Sequence, residues 1–293
     1  MTSFVANGPT FNFETDFLKG TLQPEGAYHG ITRLTDLRTG RQFIDERYSA
    51  LNLFKLFSTN LCMGQPRRME RRVRLDSQGG VEIHWPADES FLGEVFALYT
   101  VSGASSIDLK VTVRTRTAYR AFELFLSSYF DQAMVPNVYL KSPVYGKSSG
   151  GPERVIPTVN DSFRGTVIVF PRDTHSARHC VDGRWDRSES ANETVQMCPV
   201  RHFSFPLAYV ADLQRNLAVV IMATSDCYAL STRYHAEKDE DRLVSYSAFD
   251  CSLFGQDCLP DDQFSVRIRM AVTPLDEAHS QPLALYQSFA NNE

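Results

Sequence analysis

The amino-acid sequence predicts an all-β protein, a large antiparallel β-sandwich, and three observations lead there. Apolar and polar residues alternate with a period of two over several long segments. Short polar turns separate those segments at intervals that suit meander connections. Helix-like spacing of apolar residues is thin along the whole chain. Many short strands punctuated by turns indicate a sandwich or barrel.

The clearest strand runs from Ile107 to Thr117. Ile107, Leu109, Val111 and Val113 share one face, while Asp108, Lys110, Thr112 and Arg114 share the other. That is the pattern of a half-buried antiparallel strand. Phe264 to Thr273 repeats it, with Phe264, Val266, Ile268, Met270 and Val272 inward. Shorter strands are expected at Val81 to Trp85, Thr166 to Phe170 and Leu243 to Phe249. Two hairpins are readable. Gly30 to Leu34 and Gln42 to Ile44 flank Asp36 to Gly40, and Leu207 to Ala211 and Leu217 to Thr224 flank Asp212 to Asn216. Arg47 to Thr59 is ambiguous. Leu51, Phe54 and Phe57 fit a helix, while Leu51, Leu53 and Phe57 fit a strand. Two segments break the rhythm, 141–165 with three prolines and 171–202 with Trp185 and three histidines. Loops this long inside a compact domain are often functional. Strand patterning resumes beyond each, so one domain spanning 1–293 is expected, and no internal repeat is visible.

The 293 residues suffice for a large core without disulfide or metal staples. A net charge of −5, with both signs interspersed, argues against a nucleic-acid surface. The cluster Arg67, Arg68, Arg71, Arg72 and Arg74 is expected to be a solvated strand or loop face. No export signal and no membrane-length apolar stretch is seen, so a cytoplasmic location and no membrane partner are expected. The six cysteines show no CxxC pair and read as free, mostly buried thiols. Walker loops, GxGxxG after a strand, and GxSxG are all missing, so no cofactor is expected.

The most informative segment for function is Ala121 to Asp131. Phe122, Leu124, Leu126, Ser128 and Phe130 form one face, and Glu123, Phe125, Ser127, Tyr129 and Asp131 form the other. Carboxylates, aromatics and a hydroxyl projecting together suit a sugar-binding surface, although an ordinary solvent-facing strand reads the same way. Glu123 and Asp131 lie about 26 Å apart along a strand at about 3.3 Å per residue. A glycosidase pair needs roughly 5–10 Å, so any such pair must join different strands.

The histidines come next. His175 and His179 are four residues apart, with Asp173 before them and Cys180 after. That spacing would suit metal on a helix, but no helix is predicted here, and no metal is expected. One of the two is expected as an acid or base, because imidazole titrates near neutrality. A metal-dependent site built from His175, His179 and His202 is a further reading. His235 sits in a charged loop beside Tyr234 and Glu237. His29, followed by Gly30, is expected either to line a groove or to pack at a strand start. His84 falls on a polar strand face with no role assigned, and His279 is expected to be exposed in a polar tail.

With these residues assembled, the chain resembles the galactose mutarotase-like supersandwich group, which includes aldose 1-epimerases and the central domains of several polysaccharide lyases and glycosidases. The features that carry the resemblance are Tyr28-His29-Gly30 leading into an early hairpin, the mid-chain strand Phe122-Glu123-Leu124-Phe125, and the close Phe249-Asp250-Cys251-Ser252-Leu253-Phe254-Gly255 before the last long strand. The resemblance implies a carbohydrate ligand and a histidine–carboxylate pair that exchanges protons with it. The epimerase motif around the catalytic histidine is not present, and Asp250 and Asp257 stand where a late glutamate is expected. The expected function is therefore a sugar enzyme of the epimerase, isomerase or lyase kind. The alternative is a non-catalytic carbohydrate-binding or assembly module. His175, Glu123, Tyr129, His235 and Asp250 are the expected catalytic residues, and His29, Phe125, Asp131, Trp185 and His179 are expected to bind substrate.

Overall fold

A computed structural model of the chain describes residues 3–59, 61–141, 151–158, 166–179, 195–233 and 246–291. Trp185, Cys180 and His235 lie outside the described residues. The chain opens with a four-stranded meander of β1 (Val5–Asn7), β2 (Thr10–Glu14), β3 (Leu18–Gln23) and β4 (Gly30–Asp36). Gly30 is required at the start of β4. Its φ is +118°, and a Cβ there would collide with the Ala50 carbonyl.

Two large sheets follow. One has seven strands, of which β5 (Asn52–Ser58), β6 (Leu61–Gly64), β11 (Tyr119–Phe130), β14 (Val167–Pro171), β15 (Val195–Met197), β18 (Cys227–Arg233) and β19 (Ser247–Cys258) stand in the order β15-β14-β18-β19-β11-β5-β6. The other has nine, β7 (Arg72–Leu75), β8 (Val81–Trp85), β9 (Gly93–Gly103), β10 (Ser106–Thr115), β12 (Val135–Leu140), β13 (Glu153–Val155), β16 (Phe203–Asp212), β17 (Leu217–Ala223) and β20 (Gln263–Pro274), ordered β13-β12-β16-β17-β20-β10-β9-β8-β7. All pairings between these strands are antiparallel except β14 with β15. The core lies between the sheets. Ile107, Leu109, Val111 and Val113 of β10 and Val266, Ile268, Met270 and Val272 of β20 join Phe122, Leu124, Leu126 and Phe130 of β11 in one apolar cluster. The period-two alternation of these three strands thus marks the core face correctly.

The ambiguous segment 47–59 resolves as a strand over Asn52–Ser58. Its apolar residues serve both faces of β5, which removes the one-sided pattern a surface helix would need. The long loops carry more regular structure than expected. Segment 141–165 contributes β13, and segment 171–202 contributes helix α1 (Thr174–His179), β15 and a 3-10 turn at Val200–His202. A second helix, α2 (Gln281–Ala290), covers part of the outer face of the nine-stranded sheet. Phe289 and Tyr286 pack there on Tyr139, Tyr209, Val220 and Met222. His279, expected to be exposed, is instead half-buried just before this helix, with its Nδ1 2.8 Å from the Tyr209 hydroxyl. No described helix is long and apolar enough to cross a membrane.

The arginine cluster is not uniformly solvated. Arg74 lies in the open beside Glu82, but Arg71 has a side chain only 5% exposed. Its guanidinium donates to the carbonyls of Pro24 and Arg67 and lies 5.7 Å from the Trp85 ring centroid. The long aliphatic stem and planar head of arginine fit such a slot. The five described cysteines are free, and Cys227, Cys251 and Cys258 are buried.

Candidate functional site

The seven-stranded sheet has a second face, turned away from the core, and it holds an unusual set of side chains. Glu123, Phe125, Ser127 and Tyr129 project there from β11, as their alternation predicts. Register extends each of these positions across the sheet. Ser127 pairs with Asp250 and Asn52, and Asp250 pairs with Ser231, giving one polar row across four strands. Tyr129 pairs with Ala248, which pairs with Arg233, and Phe125 pairs with Ser252 and Lys55. Lys55, Glu123, Arg233 and Asp250 are all buried. Burying charge is costly unless it is well partnered, so four charged side chains on one covered face form an arrangement that burial alone disfavours.

Glu123 occupies one end of this face at 2% exposure. The Tyr228 hydroxyl donates to its Oε2 at 2.6 Å. Local backbone distortion sets this geometry. The β11–β19 register shifts on the N-terminal side of Glu123, and Ala121 and Phe254 adopt φ values of +44° and +75°. Such irregularities re-aim side chains and are costly for residues other than glycine. Gly255 follows with φ +65°, and a Cβ on it would lie 2.5 Å from the Tyr228 ring. Glycine at 255 therefore lets the Tyr228 ring lie close against β19, with its hydroxyl at Glu123.

Helix α1 brings the histidines to the same end. Asp173 and Ser176 cap its start reciprocally, with the Ser176 N–H donating to Asp173 Oδ1 at 2.8 Å and the Asp173 N–H donating to Ser176 Oγ at 3.0 Å. No helix was expected here, because six residues are too few to show a periodic pattern. One turn of helix places the His175 and His179 rings 4.5 Å apart, and the His175 ring lies 6.3 Å from that of Tyr228. Burial, with His175 and Arg178, holds His179 below the usual imidazole range, against the pull of the Glu123 and Asp257 carboxylates. Glu123, Tyr228, His175 and His179 thus form one constellation. His202 does not join it as a third ligand. Among the described residues no three His, Cys, Asp or Glu side chains converge as a metal site.

The other end of the face is aromatic. Tyr28, Tyr48, Tyr129 and Tyr246 pack together, with centroid separations of 4.8 Å for Tyr28–Tyr48, 4.7 Å for Tyr48–Tyr129 and 5.2 Å for Tyr129–Tyr246. Arg233 donates to the Tyr246 hydroxyl at 2.9 Å. Burial, and then the Asp250 carboxylate, push the Tyr129 hydroxyl well above the ordinary phenol range. Tyr129 lies six residues from Glu123, about 20 Å along the strand, so it belongs to this cluster and not to the Glu123 centre. Asp250, 5% exposed, accepts from Ser231 Oγ at 3.2 Å midway between the two ends.

Three expected binding residues are placed elsewhere or sealed. His29 is fully buried, its Nε2 accepting the Leu53 N–H at 3.1 Å and its ring tilted against Trp85. It is a core histidine and does not line a groove, because Gly30 turns the chain sharply against Ala50 just after it. Asp131 lies past the end of β11, where it pairs with Arg41 at 3.2 Å and caps its own turn through the Ala133 N–H. Phe125 is buried with Phe54 and Phe57 and offers no open ring face. Tyr228 and Lys55 were missed by sequence reasoning. Tyr228 stands in a continuous run of buried residues, Cys227 to Arg233, in which no polar–apolar alternation singles out a face.

No family model and no curated protein matches this chain. Solved structures do. A galactose mutarotase-like protein from Clostridium acetobutylicum superposes with a TM-score of 0.55 at 10% identity, over 94% of this chain and 99% of its own. A galactose 1-epimerase from Lactobacillus acidophilus gives 0.51 at 10% identity, over 94% and 99%. A mutant of the heparan sulfate lyase HepC from Pedobacter heparinus gives 0.51 at 8% identity, over 94% of this chain and 37% of that one. These likenesses extend to the order and packing of the sheets at identities that speak for architecture alone, and the chain accordingly has the galactose mutarotase-like sandwich fold.

Proposed function

We propose that this chain is a carbohydrate-active enzyme that moves a proton on a sugar ring at the Glu123 centre. The observation that supports this most is a buried carboxylate held by a phenol hydroxyl at 2.6 Å, with two mutually tilted histidine rings beside it. Glu123 takes the proton from the substrate. Tyr228 donates to the carboxylate and fixes its orientation. The His175–His179 pair carries the proton onward and returns it. His179, held below the usual imidazole range, is neutral at physiological pH and available as an acceptor. Neighbours of this fold include proteins named as a galactose epimerase and a heparan sulfate lyase, which supports epimerase-like or lyase-like chemistry. Hydrolysis by a Glu123–Asp250 pair is disfavoured. Asp250 pairs with Ser127, four residues from Glu123, so the two stand about 13 Å apart along the strand against the roughly 5–10 Å such a pair needs.

The test is turnover of neutral and anionic hexoses and their oligomers, read by NMR for epimerisation and by absorbance for unsaturated elimination products. Glu123→Gln keeps the shape and removes the base. The enzyme reading requires turnover by the natural protein and its loss in the variant. Binding without turnover across the panel favours the alternative, a carbohydrate-binding or assembly module, for which the tyrosine cluster supplies the platform.

A further inference from the structure

The two ends of the site face are separated by a row whose polar atoms are incompletely satisfied. Asn52 is 0% and Ser127 1% exposed, yet Asn52 Oδ1 has no hydrogen-bond partner among the described residues, and the Ser127 hydroxyl faces only the Tyr129 phenol, outside good hydrogen-bond geometry. Buried polar groups are almost always paired, and an orphan marks a place where a ligand or water belongs. Ser127 stands opposite Asp250, the carboxylate of the same row, and Asn52 stands opposite Ser127 on its other side. An amide oxygen, a hydroxyl and a carboxylate in one line can accept from two neighbouring hydroxyl groups while the serine donates to one of them.

The flanks of this row are chemically different. On one side, four residues along β11, is Glu123 with Tyr228 and the histidines. On the other, two residues along, is Tyr129, packed with the partly exposed rings of Tyr28 and Tyr48. Aromatic faces next to hydroxyl-binding groups suit the apolar C–H face of a sugar ring together with its polar rim. From Glu123 to Tyr129 the face runs about 20 Å, longer than a single hexose.

We propose that Asn52, Ser127 and Asp250, with the tyrosine cluster beyond them, form a second sugar-binding subsite, so that the ligand is an oligosaccharide laid along β11 with only one of its rings at Glu123. This rests on the carbohydrate reading above and adds the size of the substrate. A neutral chain satisfies the row through its hydroxyls alone.

The test is isothermal titration with a hexose and with its linked dimer, trimer and tetramer, using glucose, galactose and glucuronic acid as the repeating units. Affinity for the tetramer of one series is expected to exceed that for the monomer by at least about tenfold, the equivalent of roughly 1.4 kcal/mol. Ser127→Ala and Asn52→Ala are each expected to shrink that length advantage by about tenfold. Ser127→Ala is also expected to change the melting temperature little, because the hydroxyl has only a poorly aligned contact with the Tyr129 phenol to lose. Asn52 donates to Ser49 Oγ at 3.3 Å, so Ser127→Ala remains the decisive variant if Asn52→Ala folds poorly. Equal affinity for monomer and tetramer, or a length advantage untouched by Ser127→Ala, overturns the subsite and leaves the sugar reading standing. No binding by any sugar of any length overturns both.

Discussion

The outer faces of the two large sheets solve the same problem in opposite ways. The nine-stranded sheet covers part of its outer face with apolar contacts. Leu207, Tyr209, Val220 and Met222 meet Phe289 of α2, and the Arg267 and Arg269 guanidinium groups lie over the Phe289 ring at 4.5 and 5.3 Å. The seven-stranded sheet buries Lys55, Glu123, Arg233 and Asp250 on its outer face instead. Apolar burial stabilises by default, whereas buried charge is expensive and persists where geometry and partners compensate. The first face is therefore a source of stability, and the second gives stability up at the place where the chemistry is proposed.

Paired substitutions separate the two faces. Glu123→Gln is expected to lower turnover by about 100- to 10,000-fold, the contribution of a positioned base, with a small change in melting temperature. Phe289→Ala is expected to destabilise by about 3–5 kcal/mol through the cavity it opens, with kcat/KM unchanged. Urea unfolding and initial rates on both variants check this, and a turnover loss in Phe289→Ala equal to that of Glu123→Gln would break the contrast.

A smaller effect tests the strain beside the site. Gly255→Ala forces a Cβ into the Tyr228 ring at a positive φ. It is expected to cost about 1–3 kcal/mol of stability and to reduce turnover by displacing the Tyr228 hydroxyl from Glu123. Tyr228→Phe should reproduce the turnover loss without the strain, which separates the two contributions.

The smallest expected effect concerns the core between the faces. Burial, and then the Arg71 charge, hold His29 well below the usual imidazole range. The unfolded chain takes a proton near pH 6.5 and the folded protein does not. Stability is thus fully present above pH 6.5 and falls as pH drops towards the folded value, by at most about 1.4 kcal/mol per pH unit. His29→Gln, which keeps an acceptor for the Leu53 N–H, should flatten that slope in unfolding curves between neutral pH and pH 5. An unchanged slope would place the titration elsewhere, His179 and His279 being the other depressed imidazoles.

Much of this architecture was legible beforehand. The alternation in β10, β20 and β11 identified strands and their core-facing residues, and the polar segment Asp212 to Asn216 marked the β16–β17 hairpin. Alternation also grouped Glu123, Phe125, Ser127 and Tyr129 correctly on one face. It could not tell whether that face was wet or covered, since period two reports side-chain direction and not what lies opposite. That is why Phe125 is expected from the sequence to bind substrate and is instead buried with Phe54 and Phe57. Short or one-residue features were illegible for a different reason. Helix α1 is a single capped helical segment, and the role of Gly255 depends on a tyrosine 27 residues away in sequence.

By itself, then, the sequence determined the strand content, the core-facing residues and the shared direction of the β11 side chains, because these follow from local backbone geometry and hydrophobic period. Only the tertiary structure decided which charges meet. Strand register set Asp250 beside Ser127 and away from Glu123, and α1 carried His175 and His179 to Tyr228. Those encounters depend on contacts between residues far apart in the chain, and no local pattern encodes them.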